Sequence, residues 1–234
     1  MKLFDAHCHV SGNDKYPLDV IGRNIIFNTT EEYKKNHTSL KGEDVKSLIF
    51  DYKNERELLN NVVQNKEIVA LKIHNRIQKI SDADTPALVN ALSELNTGLP
   101  VIYDAFYYGP HLNFQPSLPQ LIQLIKAFPE TNFIVAHCGG HHALDYLFHL
   151  RGLTNVYMDV SYSLSYLSGS SAYTDLFHLL KHTAKNRILF GTDFPAINAT
   201  TQFELFSSIA KDLQWVQEDL DKVFWQNALE VFNL

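Results

Sequence analysis

Two histidines and one aspartate in this 234-residue chain have the types and the spacing to hold a metal ion. His7 and His9 stand two apart in FDAHCHV, and Asp193 closes the apolar run RILFGTD near the far end of the sequence. On a strand, residues two apart project from the same face, so both imidazoles can reach one cation. Neutral imidazole is a good ligand for Zn2+ and similar ions, and a carboxylate completes three protein ligands while leaving a position for water. Such an ion lowers the pKa of its water from about 15.7 towards about 7, giving hydroxide at neutral pH. Asp193 could then take the water's proton and pass it to a leaving group. The plainer reading of His-Cys-His on an apolar strand is a pair of core histidines satisfied by backbone carbonyls. Asp193 counts against it, because a carboxylate ending an apolar run calls for a cation or a hydrogen-bond network.

Those residues need elements to carry them. Eight short apolar, β-branched runs recur along the chain: KLFDAHCHV, GRNIIFN, VKSLIFDY, EIVALKIH, LPVIYDAF, NFIVAHCGG, NVYMDVS and RILFGTDFP. Several are apolar almost throughout, as strands covered on both faces should be. Segments 55–64, 85–95, 118–128, 143–150, 172–184 and 202–212 carry helical spacing between them, with Thr85 read as an N-cap and Pro86 as the first helical residue. The connection between the first two runs is short and contains Gly12, Asn13, Asp14 and Pro17, so the first helix is expected to be missing or reduced to a loop. The tail at about 219–234 repeats helical spacing and is expected to cover the outer wall. Nothing marks a second domain, and residues 1–234 are read as one.

Alternating strands and helices permit a closed barrel or an open doubly wound sheet. Polar residues decide between them: His7, His9, His74, Asp104, His137 and Asp193 all fall at strand ends. A closed barrel brings such ends around one mouth, whereas an open sheet spreads them across its width. The expected fold is therefore a single (β/α)8 TIM barrel, slightly trimmed and distorted.

Composition narrows the function classes. Hydrophobic residues make up 45% and charged residues 20%, an ordinary globular balance without a membrane-length apolar run. A net charge of −6 with scattered lysines and arginines opposes nucleic-acid binding. The two cysteines, Cys8 and Cys138, lie in apolar segments and read as small core residues, not as a disulfide or nucleophiles. The chain opens on a strand-like run with no charged leader and cleavage site, so a cytoplasmic location is expected.

With these residues in place, the sequence resembles the amidohydrolase superfamily, in particular its branch of amidohydrolase-related decarboxylases, lactonases and hydratases. The resemblance follows the chain in order through FDAHCHV, LKIH, LPVIYDA, FIVAHCGG, NVYMDVS and GTDFP, to FWQNALEVFNL, which looks like the family's terminal helix. It implies a distorted barrel with His7, His9 and Asp193 as metal ligands, and His137 in contact with the metal's water or the substrate. The fifth strand departs from the pattern. Family members there carry a ligating histidine after proline and three apolar residues, where this chain has Asp104.

Two carboxylates on one divalent ion would neutralise it and make it a weaker Lewis acid, which favours a harder ion such as Mn2+ or Mg2+ over Zn2+. Asp104 is thus read either as a further ligand, or as an acid or base on the substrate, or as a residue outside the coordination sphere with His74 filling the gap or the ion held weakly; the plainer reading is a carboxylate that caps a loop amide. Some relatives carry a carbamylated lysine on the fourth strand that bridges two metals; Asp104 breaks the histidine pair that accompanies it, so one divalent ion is expected, Zn2+ first. Lys72 and His74, two apart on that strand, are then candidate substrate contacts. Arg76 could hold a substrate carboxylate through a bidentate pair, and Tyr107, Tyr108 and His111 follow the fifth strand where barrel enzymes place specificity residues. His141 and His142 read as exposed or capping.

The expected function is metal-assisted hydrolysis of an amide, ester or lactone bond in a small metabolite. Two alternatives stand beside it: non-oxidative decarboxylation or hydration of a carboxylated small molecule, and a degenerate barrel that binds a ligand without turnover. The expected partner is a small-molecule substrate, with no nucleic acid and no membrane; self-association into a homo-oligomer is left open.

Overall fold

The structure, a computed structural model, describes residues 2–10, 15–40 and 42–234. Eight strands form one parallel sheet in sequence order: β1 (Phe4–Cys8), β2 (Gly22–Phe27), β3 (Val45–Ile49), β4 (Ala70–Ile73), β5 (Val101–Asp104), β6 (Phe133–Ala136), β7 (Val156–Asp159) and β8 (Ile188–Leu189). The sheet curls until its edges meet. Ala6 N–H donates to Phe190 O (2.9 Å), Asp193 N–H to His7 O (2.7 Å) and His9 N–H to Phe194 O (2.7 Å), so the chain just past β8 lies along β1. These bonds make the (β/α)8 barrel and set Asp193 beside His7 and His9.

Helices cover the outside: α1 (Thr30–Asn36), α2 (Arg56–Gln64), α3 (Asn75–Gln78), α4 (Thr85–Leu95), α5 (Leu118–Ala127), α6 (Ala143–Leu150), α7 (Ser163–Tyr166), α8 (Ser171–His182), α9 (Ala199–Asp212), α10 (Gln217–Asp221) and α11 (Asn227–Phe232). Helix α4 starts differently from expectation. Asp84 takes the cap position and Thr85 lies inside the first turn, because Ser81 and Asp84 form a capping box one turn earlier and the Thr85 hydroxyl donates to Asp82 O at 2.7 Å. Helix α1 was not expected at all. It is short, with Thr29 capping Glu32 N, and buries only Thr30 and Tyr33, which is too little to show as a periodic stripe. No helix stands between β1 and β2 among the described residues, in line with the trimmed barrel, while Gly12, Asn13 and Asp14 lie outside them.

Alternation along each strand divides the core in two. Leu71 and Ile73, Val101 and Tyr103, and Val156 and Met158 face the helices, while Ala70, Ile102, Ile134, Tyr157 and Leu189 fill the barrel interior. The tail serves both layers. Val223 and Phe224 join the outer one, but after a π turn at Lys222–Gln226 the residues Ala228, Val231 and Phe232 join the interior cluster, with Phe232 packed on Phe4. The tail therefore reaches past the outer wall to plug the amino end of the barrel. Among the described residues no helix is long and apolar enough to cross a membrane.

Candidate metal centre

The interior positions nearest the carboxyl ends of the strands are polar, and β1 shows how they come to face inwards. Phe4 and Ala6 belong to the interior cluster, so strict alternation would turn His7 outwards. The pairing of β1 with β2 shifts register between Asp5 and Cys8, which sends Cys8 to the outer layer and lets His7 face the interior. His7 Nδ1 is held by the Asp159 carboxylate at 2.5 Å, and His9 Nδ1 by the carbonyl of Ile26 at 2.7 Å. Each acceptor fixes the ring proton at Nδ1 and leaves the lone pair on Nε2. Both Nε2 atoms converge on one oxygen: Asp193 Oδ1 is 3.4 Å from that of His7 and 3.1 Å from that of His9. Two imidazoles pinned in this way, with a carboxylate between them, suit a divalent cation.

His7, His137 and Asp193 form the compact trio, with their ligating atoms within 4.8 Å of one another. His9 stands beside that trio through its contact with Asp193. Asp104 lies across the cavity among basic groups: His74 Nε2 at 3.4 Å, His137 Nε2 and Arg76 at 3.5 Å, and Lys72 Nζ at 3.9 Å. It thus stands as a shared counter-ion for β4 and β6 and is not one of the compact trio.

Burial and these neighbours set the protonation states. Burial, with the charges of Lys72 and His137, pushes the His7 imidazolium pKa well down, which keeps the ring neutral. Burial likewise lowers His74, to about 4. Burial would raise the carboxyl groups of Asp104 and Asp193, but the surrounding bases win and hold both below the usual carboxylate range. His137 goes the other way: burial works against its charge, yet the bond to Asp104 and the field of three carboxylates raise it. The centre therefore pairs ionised carboxylates with a His137 biased towards imidazolium. Burial raises both cysteine thiols, so neither is a ready nucleophile.

A cavity of about 230 Å3 opens over these groups, lined by His9, Lys72, His74, Arg76, Asp104, His137 and Asp193 with Phe106, Tyr108 and Tyr162. Arg76 is steadied by its bond to Tyr108 O (2.9 Å). The ring of Tyr107 turns away and packs on His142 with centroids 4.3 Å apart, so Tyr108 and Phe106 face the cavity in its place. Phe106 meets Tyr162 and His137 edge-on, and Tyr162 stacks on Tyr166 at 4.9 Å. His111 is exposed and outside the lining.

Three positions that the sequence reading passed over complete the site. Asp159 orients His7 and also accepts from the backbone and hydroxyl of Ser161, both at 2.8 Å. Asp5 accepts from Thr192 N–H and hydroxyl and from Tyr16, which ties β1 to the segment bearing Asp193; burial raises its pKa to about 6. Gly191 lets these parts close up, since a Cβ there would sit 2.6 Å from Asp159 Oδ1 and 2.8 Å from His7 Cβ. The DVS and GTD ends of their strands held the signal for Asp159 and Gly191.

No curated protein matches the chain. Among solved structures, a Pseudomonas putida protein provisionally assigned as a 2-pyrone-4,6-dicarboxylic acid hydrolase superposes with a TM-score of 0.67 at 16% identity, over 99% of this chain and 97% of its own. The 2,6-dihydroxybenzoate decarboxylase from Rhizobium gives 0.65 at 14% identity, over 99% and 98%. A Polaromonas dihydroxybenzoic acid decarboxylase with bound manganese and the inhibitor 2-nitroresorcinol gives 0.57 at 16% identity, over 87% and 72%. At these identities the likeness establishes a shared fold. The amidohydrolase family itself matches residues 56–234, which carry every strand from β4 to β8 and the Asp104, His137 and Asp193 ends. Three quarters of the sequence, together with a barrel of this form, thus make the chain a member of the amidohydrolase family.

Proposed function

We propose that the protein is a metal-dependent hydrolase that cleaves an amide, ester or lactone bond in a small molecule, with His7, His9 and Asp193 holding one divalent ion. The observation that carries this reading is the convergence of two Nδ1-anchored imidazoles on a single oxygen of Asp193. An ion bound there would supply Lewis-acid activation of water and of the scissile carbonyl. Asp193 stays ionised at neutral pH and is free to accept a proton, while His137, biased towards imidazolium by Asp104, can deliver one to the leaving group. Donor and acceptor belong to the trio whose ligating atoms lie within 4.8 Å, so both can serve one substrate. Lys72 and Arg76 give the far side of the cavity its positive charge and favour a substrate with an anionic group, with the neutral His74 ring beside them as a hydrogen-bonding contact. Two imidazoles favour Zn2+, with Mn2+, the ion in the Polaromonas relative, as the second choice.

Alanine at His7, His9 or Asp193 should abolish turnover of a substrate found by screening esters, lactones and amides with added Zn2+ or Mn2+. Full activity in all three variants would end this reading. Decarboxylation is the second reading, favoured by Arg76, whose guanidinium stands within 3.5 Å of Asp104 where a carboxylate could be held. Carbon dioxide released from a carboxylated substrate, with no hydrolytic product, would establish it instead.

A further inference from the structure

Lys72 is 1% exposed and stands in the middle of the centre. Its Nζ is 3.3 Å from His7 Nε2 and 3.9 Å from the nearest oxygen of Asp104. A buried ammonium is best served by a carboxylate, yet the contact with the imidazole is the shorter one. Asp159 explains it. With the Nδ1 proton of His7 committed to Asp159, Nε2 offers a lone pair, and Lys72 donates to it.

An imidazole nitrogen has one such lone pair. It cannot at once accept from an ammonium and bind a metal ion, and the two cations repel each other as well. Lys72 has an alternative partner, because Asp104 Oδ2 lies 3.9 Å from its ammonium, just beyond hydrogen-bond range. We propose that Lys72 gates the metal centre: it caps His7 Nε2 in the metal-free protein and moves onto Asp104 when the ion enters. Lys72 then opposes metal binding, and Asp104 supports it by receiving the displaced ammonium without being a ligand. The inference rests on His7, His9 and Asp193 being the ligand set, and it gives the aspartate on β5 a task of its own.

The test is a Zn2+ titration in competition with a chromophoric chelator. It is carried out in a His178→Ala background, because His178 and His182 stand one turn apart on the exposed side of α8, with rings 4.3 Å apart, and can chelate Zn2+ themselves. Lys72→Met should tighten the dissociation constant roughly 10- to 100-fold, the value of one hydrogen bond from a charged donor. Asp104→Asn should weaken binding about tenfold more when Lys72 is present than in the Lys72→Met background. Thermal unfolding checks each variant, and Lys72→Leu, which also has no side-chain donor, replaces Lys72→Met if the latter does not fold. Unchanged affinity on loss of the lysine, or an equal effect of Asp104→Asn in both backgrounds, overturns the gate alone. Failure of every variant to bind Zn2+ overturns the ligand set and the gate with it.

Discussion

Replacing Gly191 by alanine probes how tightly the centre is packed. The added methyl would lie 2.6 Å from Asp159 Oδ1, 2.8 Å from His7 Cβ and 3.1 Å from Ser161 Cβ. None of these is the loose end of a flexible side chain. Asp159 is held by His7 and twice by Ser161, and His7 Cβ is fixed to a strand that is bonded to the β8 segment through the His7 carbonyl. The backbone must therefore give way, which places the cost near the upper end of overpacking, about 3 kcal/mol. For a domain of this size that lowers Tm by about 6–12 °C, at roughly 2–4 °C per kcal/mol. Because the strain falls on the His7–Asp159 pair, Zn2+ affinity should drop as well, by about tenfold or more. Differential scanning calorimetry with chelator present, followed by the chelator-competition titration, measures both effects. Gly42→Ala, where an added methyl meets nothing within 4 Å, is the control and should leave Tm within about 2 °C. A Gly191→Ala protein that melts with the wild type and binds Zn2+ equally would refute the close-packing argument.

Three further outcomes follow from the same contacts. Asp159→Ala removes the acceptor that fixes the His7 ring, and Zn2+ affinity measured by competition should fall about 10- to 100-fold. His74 has its pKa lowered to about 4 by burial, so between about pH 4 and 6.5 the unfolded chain binds the extra proton and stability rises with pH. This contribution is complete above about 6.5 and disappears as pH falls towards about 4; across that window, urea unfolding of metal-free wild type and His74→Asn should diverge by about 3 kcal/mol, and parallel curves would contradict it. Chelator treatment should abolish turnover, and added Zn2+ or Mn2+ should restore it; activity that survives verified metal removal would count against the proposed function.

Much of the barrel was written in local pattern. Runs such as FIVA in β6 and helices such as Ala143–Leu150 bury enough apolar surface to announce themselves. Helices α3 and α7 have four residues each, too few for a period to emerge. At the centre, the spacing of His7 and His9 told that they share a face, but the register shift after Asp5 chose which face, and only pairing with β2 reveals it. The same period of two that linked Lys72 with His74 would have linked Tyr157 with Asp159 and marked the orienting carboxylate. Lys72 on His7, by contrast, joins residues 65 apart, and nothing local encodes it. Tyr107 and Tyr108 follow a strand end where no period operates, so their sequence could not say which ring faces the cavity.

The seam between β8 and β1 also fixes when the centre can come into being. His9 and Asp193 are 184 residues apart, and only the bonds that close the sheet bring them together. During synthesis the two histidines emerge together and then wait for nearly the whole barrel before Asp193 arrives. A ribosome that stalls before β8 leaves a product with exposed strand edges and an incomplete candidate centre. The candidate centre is thus completed last, as a report that the barrel has closed.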